Sequence, residues 1–214
     1  MTRRELPLRL AAGALLASRW SEPALAQRAL AAAEAPPETV WLHANENPEG
    51  PCPAALEAMA ETLARVGRYH YQQQRDFLAA VARSEGLEPE QVLIGAGSSE
   101  ILQVAVYAFT APDRPLIFPE PTFELPAGIA RALGRPVVPV PLTERFTADV
   151  ERLVAEARKA GGGLIYLCNP NNPTSTITSR AELAWIVDNL PPRTVLLIDE
   201  AYIHFSEDPE LESA

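Results

Sequence analysis

The chain has 214 residues, 47% of them hydrophobic, and a formal net charge of -10. That length and apolar share suffice for one sizeable core with a small appendage, and the negative charge argues against nucleic acid and anionic membrane surfaces as partners. The three histidines, His43, His70 and His204, have no ligand spacing, so no metal site is expected, and the two distant cysteines, Cys52 and Cys168, make no disulfide framework.

Residues 1–26 read differently from the rest. Arg3-Arg4, a short stretch with Leu6, Leu8 and Leu10 running into alanines, and a small-residue site at Ala24-Leu25-Ala26 together read as a twin-arginine-type export signal. The expected location is therefore the periplasm or beyond, and otherwise the cytoplasm. The apolar stretch is too short to span a bilayer, so no membrane span is expected. Residues 27–39 read as a linker, and 40–214 as the folded part.

That part opens with an arm over 40–53, rich in Asn, Pro and Gly. Leu56, Met59, Ala60 and Leu63 predict a helix over 54–66, and a second helix is predicted over 77–84, stopped by Gly86. Strands are then predicted at 92–94, 116–118, 137–140, 164–167 and 194–198. They alternate with helices starting at Ser98 and over 125–133, 148–160 and 179–189. Pro139 sends the strand over 137–140 to or near an edge. Short apolar strands alternating with amphipathic helices predict an α/β fold of three layers, a mostly parallel sheet covered on both faces. From 206 onward the chain is acidic and polar, so the sheet is expected to be incomplete at the C-terminus.

Two segments concentrate polar chemistry at strand ends, where open α/β sheets bind ligands. Asn169-Pro170-Asn171-Asn172-Pro173-Thr174 follows one strand, and Leu197-Ile198-Asp199-Glu200-Ala201-Tyr202 completes another. An apolar strand ending Asp-Glu also suits the magnesium site of P-loop ATPases, but the Gly-Lys-Ser/Thr loop that reading needs is missing. Gly95-Ala96-Gly97-Ser98-Ser99-Glu100 begins like a dinucleotide fingerprint, with Glu100 where the third glycine belongs. Such a loop can still hold phosphate on the N–H groups of a helix start. Equally, Ser98 can cap that helix, with Glu100 as its first-turn carboxylate. Each segment alone is also an ordinary turn or cap; their order and spacing favour a site.

From about Val40 to its end, the chain resembles the N-terminal part of a fold-type I pyridoxal-phosphate enzyme. More narrowly, it is similar to class I/II aminotransferases of the histidinol-phosphate aminotransferase type. The resemblance rests on His43-Ala44-Asn45-Glu46-Asn47-Pro48-Glu49-Gly50, Gly67-Arg68-Tyr69, Gly95 to Glu100, Pro121-Thr122-Phe123, Asn169 to Thr174 and Asp199-Glu200-Ala201-Tyr202. It implies pyridoxal 5'-phosphate as cofactor. Asp199 would pair with the pyridine nitrogen and keep it protonated, so that the ring accepts an electron pair. Asn172 and Tyr202 would hydrogen-bond the phenolic oxygen, and Phe123 would stack on the ring. Gly97, Ser98 and Ser99 would hold the phosphate, reached also by Tyr69 of the partner subunit, which makes the intact enzyme a homodimer. Asn45, Asn47 and Gly50 would form an arm near the substrate entrance. The implied reaction takes an amino group from an amino acid or histidinol-phosphate-like donor to a 2-oxo acid. A decarboxylase or lyase of the same superfamily is the alternative.

Two departures stand out. Ser175 occupies a position where the family usually has glycine. The Schiff-base lysine, which in the family follows the position matched by Asp199, has no counterpart, because the sole lysine, Lys159, precedes the cradle and falls in a predicted helix. The chain as given is therefore expected to contain no catalytic residue and to behave as a non-catalytic, truncated fragment.

Overall fold

A computed structural model of the chain describes residues 39–42 and 44–214. The expected leader over 1–26, and the linker apart from its last residue, lie outside the described residues. Two compact units meet in sequence between Tyr69 and His70.

In the first unit the arm closes on itself at Asn47. Its Oδ1 accepts from Glu49 N at 3.1 Å, and its Nδ2 donates to the Gly50 carbonyl at 3.1 Å. Helix α1, Pro53–Thr62, begins on a proline, whose missing N–H is one the first turn leaves unbonded anyway. A 3-10 turn over Leu63–Arg65 continues it, so the helix expected over 54–66 is present. It buries none of its residues, however: Leu56, Met59, Leu63 and Val66 are each at least 50% exposed.

The second unit opens with α2, Tyr71–Glu85, closed by Gly86 at φ 68°. This helix starts earlier than the apolar pattern indicates. Its first turns carry glutamines held by Gln72–Asp76 and Arg75–Gln72 side-chain bonds, favourable for a helix but silent to hydrophobic periodicity. The strand expected over 92–94 does not form. Val92 is extended, at φ -110° and ψ 129°, but among the described residues no strand lies beside the segment, and a ladder needs a partner.

The remaining elements follow the predicted alternation: α3 (Ser98–Phe109), β1 (Leu116–Glu120), α4 (Leu125–Ala132), β2 (Val137–Pro141), α5 (Val150–Ala160), β3 (Gly163–Cys168), α6 (Arg180–Asn189) and β4 (Thr194–Asp199). Local chemistry sets the boundaries. Asp149 caps α5 by accepting from Arg152 N, and Gly161 ends it in the left-handed conformation. Ser179 and Glu182 form a capping box on α6.

The four strands are all parallel, in the order β2-β1-β3-β4. β2 is an edge strand, within what Pro139 led one to expect, and β4 is the other edge. Strand β3 enters tightly: a Cβ on Gly163, at φ +147°, would stand 2.5 Å from the Pro115 carbonyl oxygen. Alternate residues of the sheet feed two cores. On one face Ile117, Ile165 and Leu167 meet Leu153, Val154 and Ala157 of α5 and Leu183 and Ile186 of α6. On the other, Leu116, Phe118, Leu164, Tyr166 and Cys168 meet Leu102 and Val106 of α3 and Ala127 and Ala130 of α4. The three layers are thus those expected. Among the described residues, no helix is long and apolar enough to cross a membrane, and no group of three or more His, Cys, Asp or Glu could hold a metal ion.

Candidate functional site

Strand order reverses between β1 and β3: the chain leaves β1 for β2 on one side, and leaves β3 for β4 on the other. The loops after β1 and β3 therefore part at their carboxyl ends and open a crevice. Side chains bridge it. Thr122 Oγ1 donates to Asn171 Oδ1 at 2.6 Å, across 49 residues of sequence. Asn171 Nδ2 in turn reaches the Pro121 carbonyl at 3.2 Å and Thr174 Oγ1 at 2.8 Å. Asn169, fully buried, clamps Thr178 from both sides. Its Oδ1 accepts from Thr178 N at 2.8 Å, and its Nδ2 donates to the Thr178 carbonyl at 3.0 Å. The peptide bonds before Pro121, Pro170 and Pro173 are cis.

The Asn-Pro-Asn-Asn-Pro-Thr segment therefore divides its labour. Asn169 and Asn171 shape the loop, and Asn172 is left half-buried with Nδ2 3.5 Å from the Tyr202 hydroxyl. Ser175, in place of the usual glycine, adopts φ 59° and keeps the turn, its N–H donating to the Asn171 carbonyl at 2.8 Å.

Asp199 ends β4 directly beside Cys168 of β3, and the Asn169 N–H donates to the Asp199 carbonyl at 2.9 Å, tying the two strand ends together. The Asp199 carboxylate is buried. Its Oδ2 accepts from the Tyr166 hydroxyl at 3.0 Å, and its Oδ1 accepts from Ala201 N at 3.3 Å. Burial above all, with Cys168 and Asp199 close by, pushes the Tyr166 phenol far above its usual range, so it remains a donor. Burial likewise pushes the Cys168 thiol up; its Sγ donates to the Pro170 carbonyl at 3.3 Å.

The glycine loop belongs to the same unit. α3 runs on toward the start of β1, so its N-terminus lies toward the carboxyl ends of the strands. Gly97, at φ 79°, is its N-cap, and no side chain caps it. Ser98 is the first helical residue and not a cap. Glu100 does lie in the first turn, where its Oε2 accepts from Ala96 N at 2.6 Å and draws the loop closed. A Cβ on Gly97 would meet nothing within 4 Å, so the loop faces open space there. Phe123, half-buried, packs against the core beneath the crevice and lines a cavity shared with Phe118, Glu120, Thr122 and Arg131.

The structure thus gathers Gly97, Ser98, Ser99, Phe123, Asn172, Asp199 and Tyr202 into one unit, with Asn172 and Tyr202 in contact. Asn45, Asn47, Gly50 and Tyr69 lie in the first unit. Lys159 does not approach the cradle. It is exposed near the end of α5, paired with Glu156 at 3.4 Å. It precedes the start of β3, whose length of about 16 Å separates it from the strand's carboxyl end. Tyr166, Asn169, Asn171 and Thr122 are the site residues that sequence reasoning left without a role.

The sequence profile described as aminotransferase class I and II matches residues 37–213. The chain belongs to this family. Over 168 residues it is 38% identical to histidinol-phosphate aminotransferase of Ruegeria pomeroyi, a match covering 78% of this chain and 46% of that protein. Aromatic amino acid aminotransferase of Cutibacterium acnes is 34% identical over 169 residues, covering 79% and 48%. Among solved structures, histidinol-phosphate aminotransferase from Sinorhizobium meliloti, in complex with pyridoxal-5'-phosphate, superposes with a TM-score of 0.73 at 27% identity, covering 78% and 45%. The chain therefore has the fold of the fold-type I aminotransferases and spans about half the length of the relatives it matches.

Proposed function

We propose that this chain supplies the cofactor-binding part of a pyridoxal-phosphate-dependent aminotransferase, one that moves an amino group from an amino acid or histidinol-phosphate-like donor to a 2-oxo acid. The observation that carries this reading is Asp199, a buried carboxylate at a strand's carboxyl end whose oxygens are oriented by Tyr166 and Ala201.

The residues present fit pyridoxal 5'-phosphate group by group. A buried carboxylate suits a ring nitrogen that must stay protonated. The adjoining Asn172 amide and Tyr202 hydroxyl suit a phenolic oxygen, to which both can donate. The face of Phe123 suits a flat ring. The N-terminus of α3, without a side-chain cap and open in front of Gly97, suits a phosphate. When bound, the cofactor supplies an electron sink for the pair left at the substrate's α-carbon. Asp199 holds the proton on the ring nitrogen, and Asn172 and Tyr202 fix the ring's rotation. Moving a proton at the substrate carbon further requires a base close to it. Lys159, exposed and paired with Glu156, is not placed to act as one. The chain by itself is thus expected to bind cofactor without turning over. The family reading further makes the intact enzyme a homodimer, with Tyr69 of the partner subunit at the phosphate; the exposed apolar stripe of α1 supports such an assembly.

Pyridoxamine 5'-phosphate is the suitable probe, because it binds without a lysine. Titrated into the 214-residue chain, it should bind saturably, and Asp199→Ala should weaken binding by roughly 10- to 100-fold, the worth of a hydrogen bond to a charged group. Sedimentation of the same samples reads the oligomeric state. Equal binding to the two proteins would overturn the reading. Keto acid formed from a donor by this chain alone would overturn the exclusion of Lys159.

A further inference from the structure

Tyr166 stands out among the buried residues of the sheet. Among the described residues it is the largest fully buried side chain, 0% exposed in β3 and part of one of the sheet's two apolar cores. A phenol in such a place carries a hydroxyl that must find a partner. Its partner is Asp199 Oδ2, at 3.0 Å.

The sheet register explains how the two meet. In the parallel pair of β3 and β4, Tyr166 lies opposite Leu197 and Cys168 lies opposite Asp199. Tyr166 and Asp199 therefore project from the same face, offset diagonally by two residues, and the tyrosine's length spans the offset. Leucine or valine could fill the core at this position but would leave Oδ2 without its donor. The neighbouring thiol does not replace it, since Cys168 Sγ is directed to the Pro170 carbonyl. Oδ1 receives one backbone N–H, from Ala201 at 3.3 Å. The carboxylate is thus fastened through one oxygen by a rigid, neutral donor rooted in the sheet, while its other oxygen accepts one longer backbone bond and has lone-pair capacity for a second donor.

We infer that Tyr166 is the positioning residue for Asp199, holding its carboxylate in the orientation that lets Oδ1 take the ring nitrogen of pyridoxal or pyridoxamine phosphate. The inference rests on the cofactor reading above. Tyr166 acts through Asp199 and does not itself touch the cofactor. A neutral donor also draws charge from the carboxylate without competing for the proton it must leave on the ring nitrogen. An arginine or lysine here would withdraw far more.

The test uses pyridoxamine 5'-phosphate labelled with nitrogen-15 in its ring, bound to the full chain. In the unsubstituted protein the ring nitrogen should resonate at the protonated position. Tyr166→Phe keeps the ring and removes only the donor. Binding should weaken about 10-fold, and the nitrogen resonance should move toward the unprotonated position. Asp199→Asn completes a double-mutant cycle. If Tyr166 acts through Asp199, its substitution should cost little further affinity in the Asp199→Asn background. An equal loss in both backgrounds means a packing role alone and overturns the inference, as does an unmoved nitrogen resonance in Tyr166→Phe. Should Tyr166→Phe not fold, the unsubstituted chain decides. A slowly exchanging Tyr166 hydroxyl proton that shifts when the probe binds supports the inference, and one that does not shift overturns it. Failure of the cofactor reading looks different: the probe then binds neither the unsubstituted protein nor its variants, and both conclusions fall.

Discussion

Single residues in the loop after β3 show how similar side chains acquire different work. Asn169, Asn171 and Asn172 stand within four positions of one another, yet the first two are consumed by the loop and only the third meets Tyr202. Ser175 is the exception to good local chemistry. It holds φ 59° on an exposed turn, a conformation that costs an ordinary side chain about 1 kcal/mol or more and glycine almost nothing. Ser175→Gly should therefore stabilise the chain by about 0.5–1 kcal/mol, after allowing for the extra freedom glycine brings to the unfolded state. A rise in the urea midpoint at unchanged m-value is the expected reading; a fall would mean that the serine side chain contributes more than its backbone costs.

At the level of elements, the fully buried Asn169 ties the β3–α6 connection to the start of α6. Asn169 satisfies both the N–H and the carbonyl of Thr178, immediately before the Ser179 cap of α6. Asn169→Ala would leave both backbone groups buried and unpaired. The expected loss is about 2–4 kcal/mol, since each orphaned group costs about 1–3 kcal/mol. Asn172→Ala, by contrast, should change stability by under about 1 kcal/mol and register in cofactor binding. Chemical denaturation of the two variants separates loop-shaping from ligand-facing roles; comparable losses would show that Asn172 also holds the loop. The same elements show what periodicity can and cannot read. The helices α3 to α6 bury one face against the sheet, at the spacing of successive turns, and were legible. The first turns of α2, built from glutamines, and the unpaired extended segment at 92–94 were not, because neither outcome depends on local apolar pattern.

Across the whole molecule, the two cysteines report on folding from opposite environments. Cys52 is exposed in the first unit, and Cys168 is buried in the second unit's core. A thiol reagent at neutral pH should modify one group at once in the native chain and the second only on unfolding. Prompt modification of both would show that the sheet core opens readily. Folding raises the Cys168 and Tyr166 pKa values, so above the unfolded thiol value of about 8.5 the unfolded chain gives up protons that the folded chain retains. Their contribution to stability is therefore complete below that pH and declines as pH rises through about 8.5 and then about 10. The urea midpoint should fall over that window, and Cys168→Ala should flatten its first part.

The sequence by itself determined the alternation of helices and strands from α3 onward and sent β2 to or near an edge. Those follow from hydrophobic period and proline chemistry, both of which are local. Only the tertiary structure decided that Thr122 meets Asn171 across 49 residues, and that Tyr166 holds Asp199. Each of these depends on strand order and register, which fix faces and ends of a sheet and leave no mark on any short stretch of sequence.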